Sequence, residues 1–447
     1  MKIFITFLIL LSFLNADISI KKAWEKVLHV NEGLKASKSD IKYATQLKKS
    51  KKSMYLPQIN IAGSYTRMEK ELSIDTTIPP ITIPGLGTLP AKNIHSELQD
   101  QDVFSANLSI FWPIYTGGKI DAANNIYAAK TRESEAKYRL EEDKAFLKLI
   151  KVYYGVVVSK SLLIAREEAQ IGLQHHYENA KKLKNAGQVA NIELLNAKVK
   201  LDSAKVETTK ARYKYEITKL ALKDMISSSD IPSSSVFFSN LIQSEQAFKD
   251  KMLSNYPGLS IIDEKQDQVN SLIDIEKAAY KPTFFAFGNY LLYKDNSPLM
   301  DMTPNWIAGI GFKFNLLSRE GKSEKIAAAK ILKNKLIHTK LQAQSDLLLL
   351  VEKTYKEMLQ YRQEYKDLDS TLELATENLR LREIAFKEGL ATSVEVVDAQ
   401  TFLTAAKTKR LNALYNFVQK ISQLSVLSGD RNIFFELEKN SIGITNE

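Results

Sequence analysis

Glu395 and Asp398 stand one helical turn apart, just past Gly389. At that spacing their carboxylates share one helix face. Like charges on one face favour a bound cation. The same acids at the start of a helix can also do nothing more than favour its dipole. The matching stretch earlier in the chain keeps one acid, Glu193, but has Asn196 where the second would be. Other reactive groups are sparse. His29, His95, His175, His176 and His338 form no HExxH motif, and adjacent His175 and His176 point to different helix faces. Each reads as a solvated or packed histidine. Thr116-Gly117-Gly118-Lys119 lacks the glycine spacing of a phosphate loop and reads as a break between a strand and a helix. With no cysteine there is neither thiol chemistry nor a disulfide. Nothing in the residues indicates an enzyme, a metal site or a cofactor.

Stepping outward from those acids, composition bounds the elements that must carry them. Apolar residues make up 44% and charged residues 26% of the 447, values of a folded chain. Only 17 glycines and 11 prolines occur, which favours long unbroken helices. The net charge of +10 comes from lysines spread along the helical segments, without the concentrated basic patch that a nucleic-acid partner requires. Residues 1–16 read as a secretory signal peptide, with Lys2 as the positive region, an apolar run at 3–14 and Ala16 before the cut. An uncleaved anchor is the alternative. That run is too short to span a bilayer, and no other reaches ~18 residues, so no transmembrane helix is expected.

The chain is a tandem repeat. YLPQINIAGSY at 55–65 parallels YKPTFFAFGNY at 280–290; FWPIYTGGK at 111–119 parallels FNLLSREGK at 314–322; KNAGQVANIELLNA at 184–197 parallels FKEGLATSVEVVDA at 386–399. The order is the same in both copies. A first repeat at 17–226, a linker at 227–244 rich in serine, a second repeat at 245–428 and a tail at 429–447 follow. Each repeat reads as helix, strand, loop, strand, very long helix, glycine turn and long helix. The first loop, 68–102, holds Pro79, Pro80, Pro84, Pro90, Gly85 and Gly87 and is expected to lack regular structure.

Strands are expected at about 56–67, 103–114, 282–293 and 305–316, the length a tilted membrane strand needs. Phe104, Ala106, Leu108, Ile110 and Trp112 alternate with Ser105, Asn107 and Ser109; Trp306, Ala308, Ile310, Phe312 and Phe314 alternate with Gly309, Gly311, Lys313 and Asn315. Ile59, Ile61, Gly63 and Tyr65 form the outward set of the first strand. Trp112, Trp306, Tyr65, Tyr290 and Tyr293 suit an aromatic girdle at a bilayer interface. A half-buried soluble sheet would alternate in the same way. Four strands cannot close a barrel, and lipid tolerates no free edge, so a membrane sheet would have to be shared among subunits.

No proline interrupts 118–186 or 321–388. About 68 helical residues at 1.5 Å each extend roughly 100 Å. Met358, Tyr361, Tyr365, Leu368, Leu372, Ala375 and Leu379 step by three and four, a heptad seam. Leu147, Ile150, Tyr154 and Val157 begin another, with Ile164 and Ile171 further on. Gly187 and Gly389 sit where a left-handed residue ends a helix, and helices at about 191–226 and 393–427 return. Each repeat thus makes a helical hairpin whose tip lies far from its strands.

This plan resembles that of the TolC-type outer-membrane efflux proteins. The most specific match is Gly389-Leu-Ala-Thr-Ser-Val-Glu-Val-Val-Asp-Ala-Gln400, similar to the family's second-repeat tip, with residues 187–197 as the first-repeat counterpart and Tyr55-Leu-Pro similar to the family's entry into its first strand. The resemblance implies a mostly α fold with β: a homotrimer with a twelve-stranded β-barrel in the outer membrane, continued by a long periplasmic α-helical barrel that closes at the hairpin tips. It further implies a belt formed by linker and tail, a periplasmic adaptor (membrane fusion) protein, and an inner-membrane pump of the RND or ABC class. Glu395 and Asp398 match the family's pore-constricting acids and would stack as two carboxylate rings, making the pore prefer cations. Some members brace the closed tip with a Tyr three residues before the glycine and an Arg two after it. Here Phe386 and Ala391 occupy those places, which leaves Lys387 or Lys184 pairing with Glu193 as a replacement. The rival is a periplasmic coiled-coil structural or adaptor protein, which normally has one hairpin rather than two matched ones.

Overall fold

The computed structural model describes residues 17–316 and 321–443. The expected signal peptide at 1–16 lies outside them. Two compact units form among the described residues: 42–132 with 264–337, and 17–41 with 133–263 and 338–443.

The first of these carries one antiparallel sheet of four strands, Gln58–Arg67, Asp102–Tyr115, Thr283–Lys294 and Trp306–Lys313. Across the sheet the order is 306–313, 283–294, 102–115, 58–67, so the two repeats meet at its centre. Among the described residues neither outer strand pairs further. The register aligns Ile61, Leu108, Tyr290 and Trp306 in one row and Ile59, Ile110, Gly288 and Ala308 in the next. One face is therefore apolar from edge to edge. The opposite face holds Asn60, Ser109 and Asn289 in a row, with Ser64 bonded to Ser105 at 2.8 Å and Asn107 Nδ2 donating to Asn289 Oδ1 at 3.2 Å. On that face Phe285 and Phe287 lie over Gly311 and Gly309, where a Cβ would come within 2.8 and 3.0 Å of the rings. The glycines make room for the rings, and the rings cover the bare backbone.

Strict alternation would put Tyr290 and Tyr293 on opposite faces. A register shift between Leu291 and Tyr293 pairs Tyr290 with Leu108 and Tyr293 with Ala106, which returns both to the apolar face.

The stretch at 68–102 is not irregular, contrary to the expectation from its prolines. Leu72–Ile78 pairs with Lys92–Gln99, and Ile81–Ile83 pairs with Gly87–Leu89. Pro79 and Pro80 fall between the two ladder segments of one arm, Pro90 falls in the matching gap of the other, and Pro84 enters the turn with Gly85 at φ 83°. A proline is excluded only where the ladder needs its N–H, and none of these positions does.

Two helices of 67 and 66 residues, Lys119–Asn185 and Lys322–Lys387, are followed by return helices Asn191–Ile226 and Ser393–Leu427. The second seam packs inward: Met358, Tyr365 and Ala375 are buried, with Tyr361, Leu368, Leu372 and Leu379 packed against buried clusters. Ile150 and Tyr154 are buried in the first seam, but Ile164 and Ile171 are exposed. The 3–4 step drifts around a straight 3.6-residue helix, so those two leave the face that Ile150 and Tyr154 occupy.

The segment at 227–244 is packed rather than loose. Ile231–Pro232 pairs parallel with Asp17–Ile18, and Phe237–Phe238 pairs with Ile442–Gly443. Tyr153 Oη donates to the Ile18 carbonyl at 2.7 Å and accepts from Ser234 N–H at 3.2 Å, tying helix, N-terminal strand and linker together. The aromatic core here joins Trp24, Phe146, Tyr154, Phe237 and Phe434. In the tail, helix Asn432–Lys439 is entered through Gly429, whose φ is 68°. A Cβ at that position would lie 2.7 Å from the Asn255 carbonyl oxygen. Gly429→Ala therefore meets both a backbone penalty and a clash. It is expected to lower stability by at least about 1–2 kcal/mol, read as an earlier urea midpoint for the purified protein.

Candidate functional site at the hairpin tips

Both glycine turns are built alike. Gly187 and Gly389 have φ of 72° and 73°. Gly187 N–H donates to the Lys184 carbonyl and Gln188 N–H to that of Leu183; Gly389 and Leu390 do the same with Phe386 and Ala385. These paired bonds close the last helical turn in the Schellman manner.

Past Gly389, Thr392 caps the return helix. Its Oγ1 accepts from Glu395 N–H at 3.4 Å while Glu395 Oε2 accepts from Thr392 N–H at 2.7 Å, a complete capping box. Arg382 Nη1 donates to Glu395 Oε1 at 2.7 Å. The Thr392 N–H, then the Thr392 hydroxyl and Arg382, hold the Glu395 carboxyl below its ordinary range. Within one chain, then, Glu395 is engaged as a helix cap. Asp398, one turn on, is exposed.

Glu193 reaches across the repeats. Its Oε2 accepts from the backbone N–H of Ser393 at 2.8 Å, 200 positions away in sequence. This replaces the expected lysine pairing: among the described residues Glu193 forms no ion pair with Lys184 or Lys387, and its carboxylate instead satisfies a free N–H in the first turn of the second return helix. The Ser393 side chain is taken by His176, whose Nε2 lies 2.6 Å from Ser393 Oγ. Both residues are buried, and the His176 ring packs on Phe386 with centroids 4.5 Å apart. Burial pushes the His176 imidazole below its ordinary pKa, with Glu193 opposing. Ala180, Ala197, Phe386 and Val396 complete this cluster.

Of the residues that matter here, Thr392 was missed in the sequence, although its Thr-x-x-Glu spacing to Glu395 is a capping signature that could have found it. Arg382, His176 and Ser393 carried no local signal, since each acts on a partner distant in sequence.

In the sheet, Tyr65 and Tyr293 sit on the apolar face toward the 68–102 end, Tyr290 and Trp306 share the middle row with Ile61 and Leu108, and Trp112 lies on the same face toward the other end. All five are exposed. Tyr65 Oη donates to Asp102 at 2.7 Å and Trp112 Nε1 to the Tyr55 carbonyl at 2.9 Å. The rows of Tyr65 and Trp112 are separated by about 26 Å of strand. No helix among the described residues is long and apolar enough to cross a membrane.

The profile of the outer membrane efflux protein family matches residues 24–228 and 250–430, both repeats in turn. The chain belongs to that family. Solved structures agree on the fold. CusC aligns with a TM-score of 0.74 at 14% identity, covering 93% of this chain and 92% of that one. VceC from Vibrio cholerae aligns at 0.70 and 13%, covering 92% and 96%. The Campylobacter jejuni CmeC outer membrane channel aligns at 0.67 and 16%, covering 94% and 89%. A comparison with curated proteins finds no match to this sequence. As a member of the outer membrane efflux protein family the chain shows the tandem-repeat plan of sheet strands and long helical hairpins.

Proposed function

We propose that this protein is the outer-membrane exit duct of a tripartite efflux or type I secretion system. It works as a homotrimer, docked through a periplasmic adaptor to an inner-membrane pump of the RND or ABC class. The observation that carries the reading is the sheet: four strands, one face apolar from edge to edge, and outer strands without further partners among the described residues. Such edges are untenable in lipid unless neighbouring copies pair with them. Three copies supply twelve strands. The polar row of Asn60, Ser109 and Asn289 then faces the lumen, and the hairpins extend into the periplasm. Heat-modifiable trimers in an outer-membrane fraction are the expected result. A water-soluble monomer would favour a periplasmic coiled-coil protein instead.

At the tips, Glu395 and Asp398 form the gate, three copies of each narrowing the pore. The exposed Asp398 is the freer to face a lumen, and the Glu395 charge is retained because its cap holds it ionised. Rings of carboxylate make a pore prefer cations. In planar bilayers, Glu395→Gln/Asp398→Asn is expected to reduce cation preference and relieve block by divalent ions. Unchanged selectivity and unchanged block would remove these two residues from the gate.

A further inference from the structure

We propose that His176, Glu193 and Ser393 form a proton-released latch that holds the hairpin tips of the two repeats together. This rests on reading the tips as the gate, and it assigns that gate a trigger.

Ser393 is the keystone. It is fully buried, and both of its polar groups are taken by the first repeat: the backbone N–H by Glu193 and the hydroxyl by His176. The second return helix thus begins on residues of the first hairpin. Moving one tip away from the other breaks both bonds at once. It also uncovers Phe386 and Val396, which are buried against Ala180 and Ala197 of the first hairpin.

The imidazole is the titrating part. The 2.6 Å contact between Nε2 and Ser393 Oγ fits either neutral tautomer. With the hydrogen on Nδ1, Nε2 accepts from the serine hydroxyl, and protonation turns that nitrogen into a donor, so the serine hydrogen loses its acceptor. With the hydrogen on Nε2, the cost of protonation is the buried charge alone. In both cases protonation places a positive charge on a residue that is only 6% exposed. Glu193 is the charged group that acts on the ring, and it favours the charged form. Burial outweighs it, and the imidazole sits below its ordinary value of 6.5. The other charges at the tip do not change this balance. Arg382 and Glu395 neutralise each other, while Lys184 and Lys387 are exposed to solvent. A group whose pKa is depressed in the latched state stabilises that state fully above its free pKa. The stabilisation declines as pH falls through about 6.5. The tips therefore hold at neutral pH and loosen in acid. One proton per latch changes the open-to-closed ratio by at most about tenfold per pH unit.

The absence of native cysteine permits clean labelling. Gln188 and Leu390, exposed beside the two turns, are replaced by cysteine and spin-labelled in the full-length protein in detergent. The distance between them is followed from pH 8 to pH 5, with single-channel conductance in parallel. The expected result is a longer, broader distance distribution and a higher open fraction below about pH 6.5. His176→Gln, which can keep a hydrogen bond to Ser393 without titrating, should hold the short distance throughout. Ser393→Ala should give the long distance at every pH. A pH-independent distance in the unmodified background, or the same pH step in His176→Gln, would overturn the latch. Loss of conductance in every variant while the distances still respond to pH would count against the duct and leave the latch standing.

Discussion

Phe434→Ala is expected to destabilise the protein by about 3–5 kcal/mol. The side chain is fully buried. Its ring meets Phe237 at 5.5 Å, Phe146 at 5.6 Å, Phe435 at 6.0 Å and Tyr154 at 6.2 Å between centroids. These neighbours come from the long helix of the first repeat, the segment joining the repeats and the tail helix. Truncation therefore opens a cavity between elements that cannot all move inward, and the cost approaches the upper end of the range. Phe435 provides the control. It packs on Phe146 at 5.6 Å but is only half-buried, so Phe435→Ala should cost clearly less. Urea midpoints of the two purified variants test this. Equal midpoints would mean that the tail helix is not anchored through Phe434.

Arg431 predicts a loss whose size depends on pH. Its guanidinium donates to Asp143 Oδ1 at 2.7 Å and to Glu142 Oε2 at 2.8 Å, and it lies over the Trp24 ring. Asp143 is buried and its second oxygen, Oδ2, has no hydrogen-bond partner. Burial raises the Asp143 carboxyl to about 6, against the opposing pull of Arg431. With its folded pKa above the unfolded value of 3.8, this carboxyl weakens the fold while ionised. The penalty is present above about pH 6 and is relieved as pH falls toward 4. Removing Arg431 deepens the penalty by leaving the carboxylates without their counter-charge. Arg431→Met is expected to cost about 3–5 kcal/mol at pH 8. The cost should be visibly smaller at pH 5, where Asp143 escapes by taking a proton. Urea midpoints of both proteins at the two pH values are the measurement. A loss of equal size at both would show that Asp143 does not titrate in this range.

Much of this architecture could be read from the chain because its signals are local. The two-residue alternation of 103–114 and 305–316 fixes a polar and an apolar face whatever surrounds them. The proline-free spans at 118–186 and 321–388 permit little but helix. The paired motifs at 184–197 and 386–399 expose the repeat without any knowledge of packing. Reading failed where spacing mattered more than composition. Prolines 79, 80, 84 and 90 looked like breakers because their positions relative to an unknown partner strand could not be seen. Ile164 and Ile171 looked like seam residues because a heptad step ignores the drift of a straight helix. At the tip the glycine turns and the two acids were legible, but the connection between the repeats was not. Ser393 lies 200 positions from Glu193 and 217 from His176, and no sequence pattern ties residues that far apart. Lysine seemed the natural partner for Glu193 because charge is visible in a sequence, whereas a free backbone N–H is not.

The two bare rims of the sheet also bear on how the protein is made. Under the trimeric barrel proposed above, a chain not yet assembled presents unsatisfied backbone groups along 58–67 and 306–313, beside one apolar sheet face. Until neighbours arrive, every encounter with another unfolded strand competes with correct assembly. Maturation should therefore depend steeply on how many copies are present at once. Scarce chains would be lost to proteolysis, and crowded ones to tangles. Holding chaperones would widen the productive window by hiding those rims, and their depletion should harm this protein sooner than a porin that seals its own barrel.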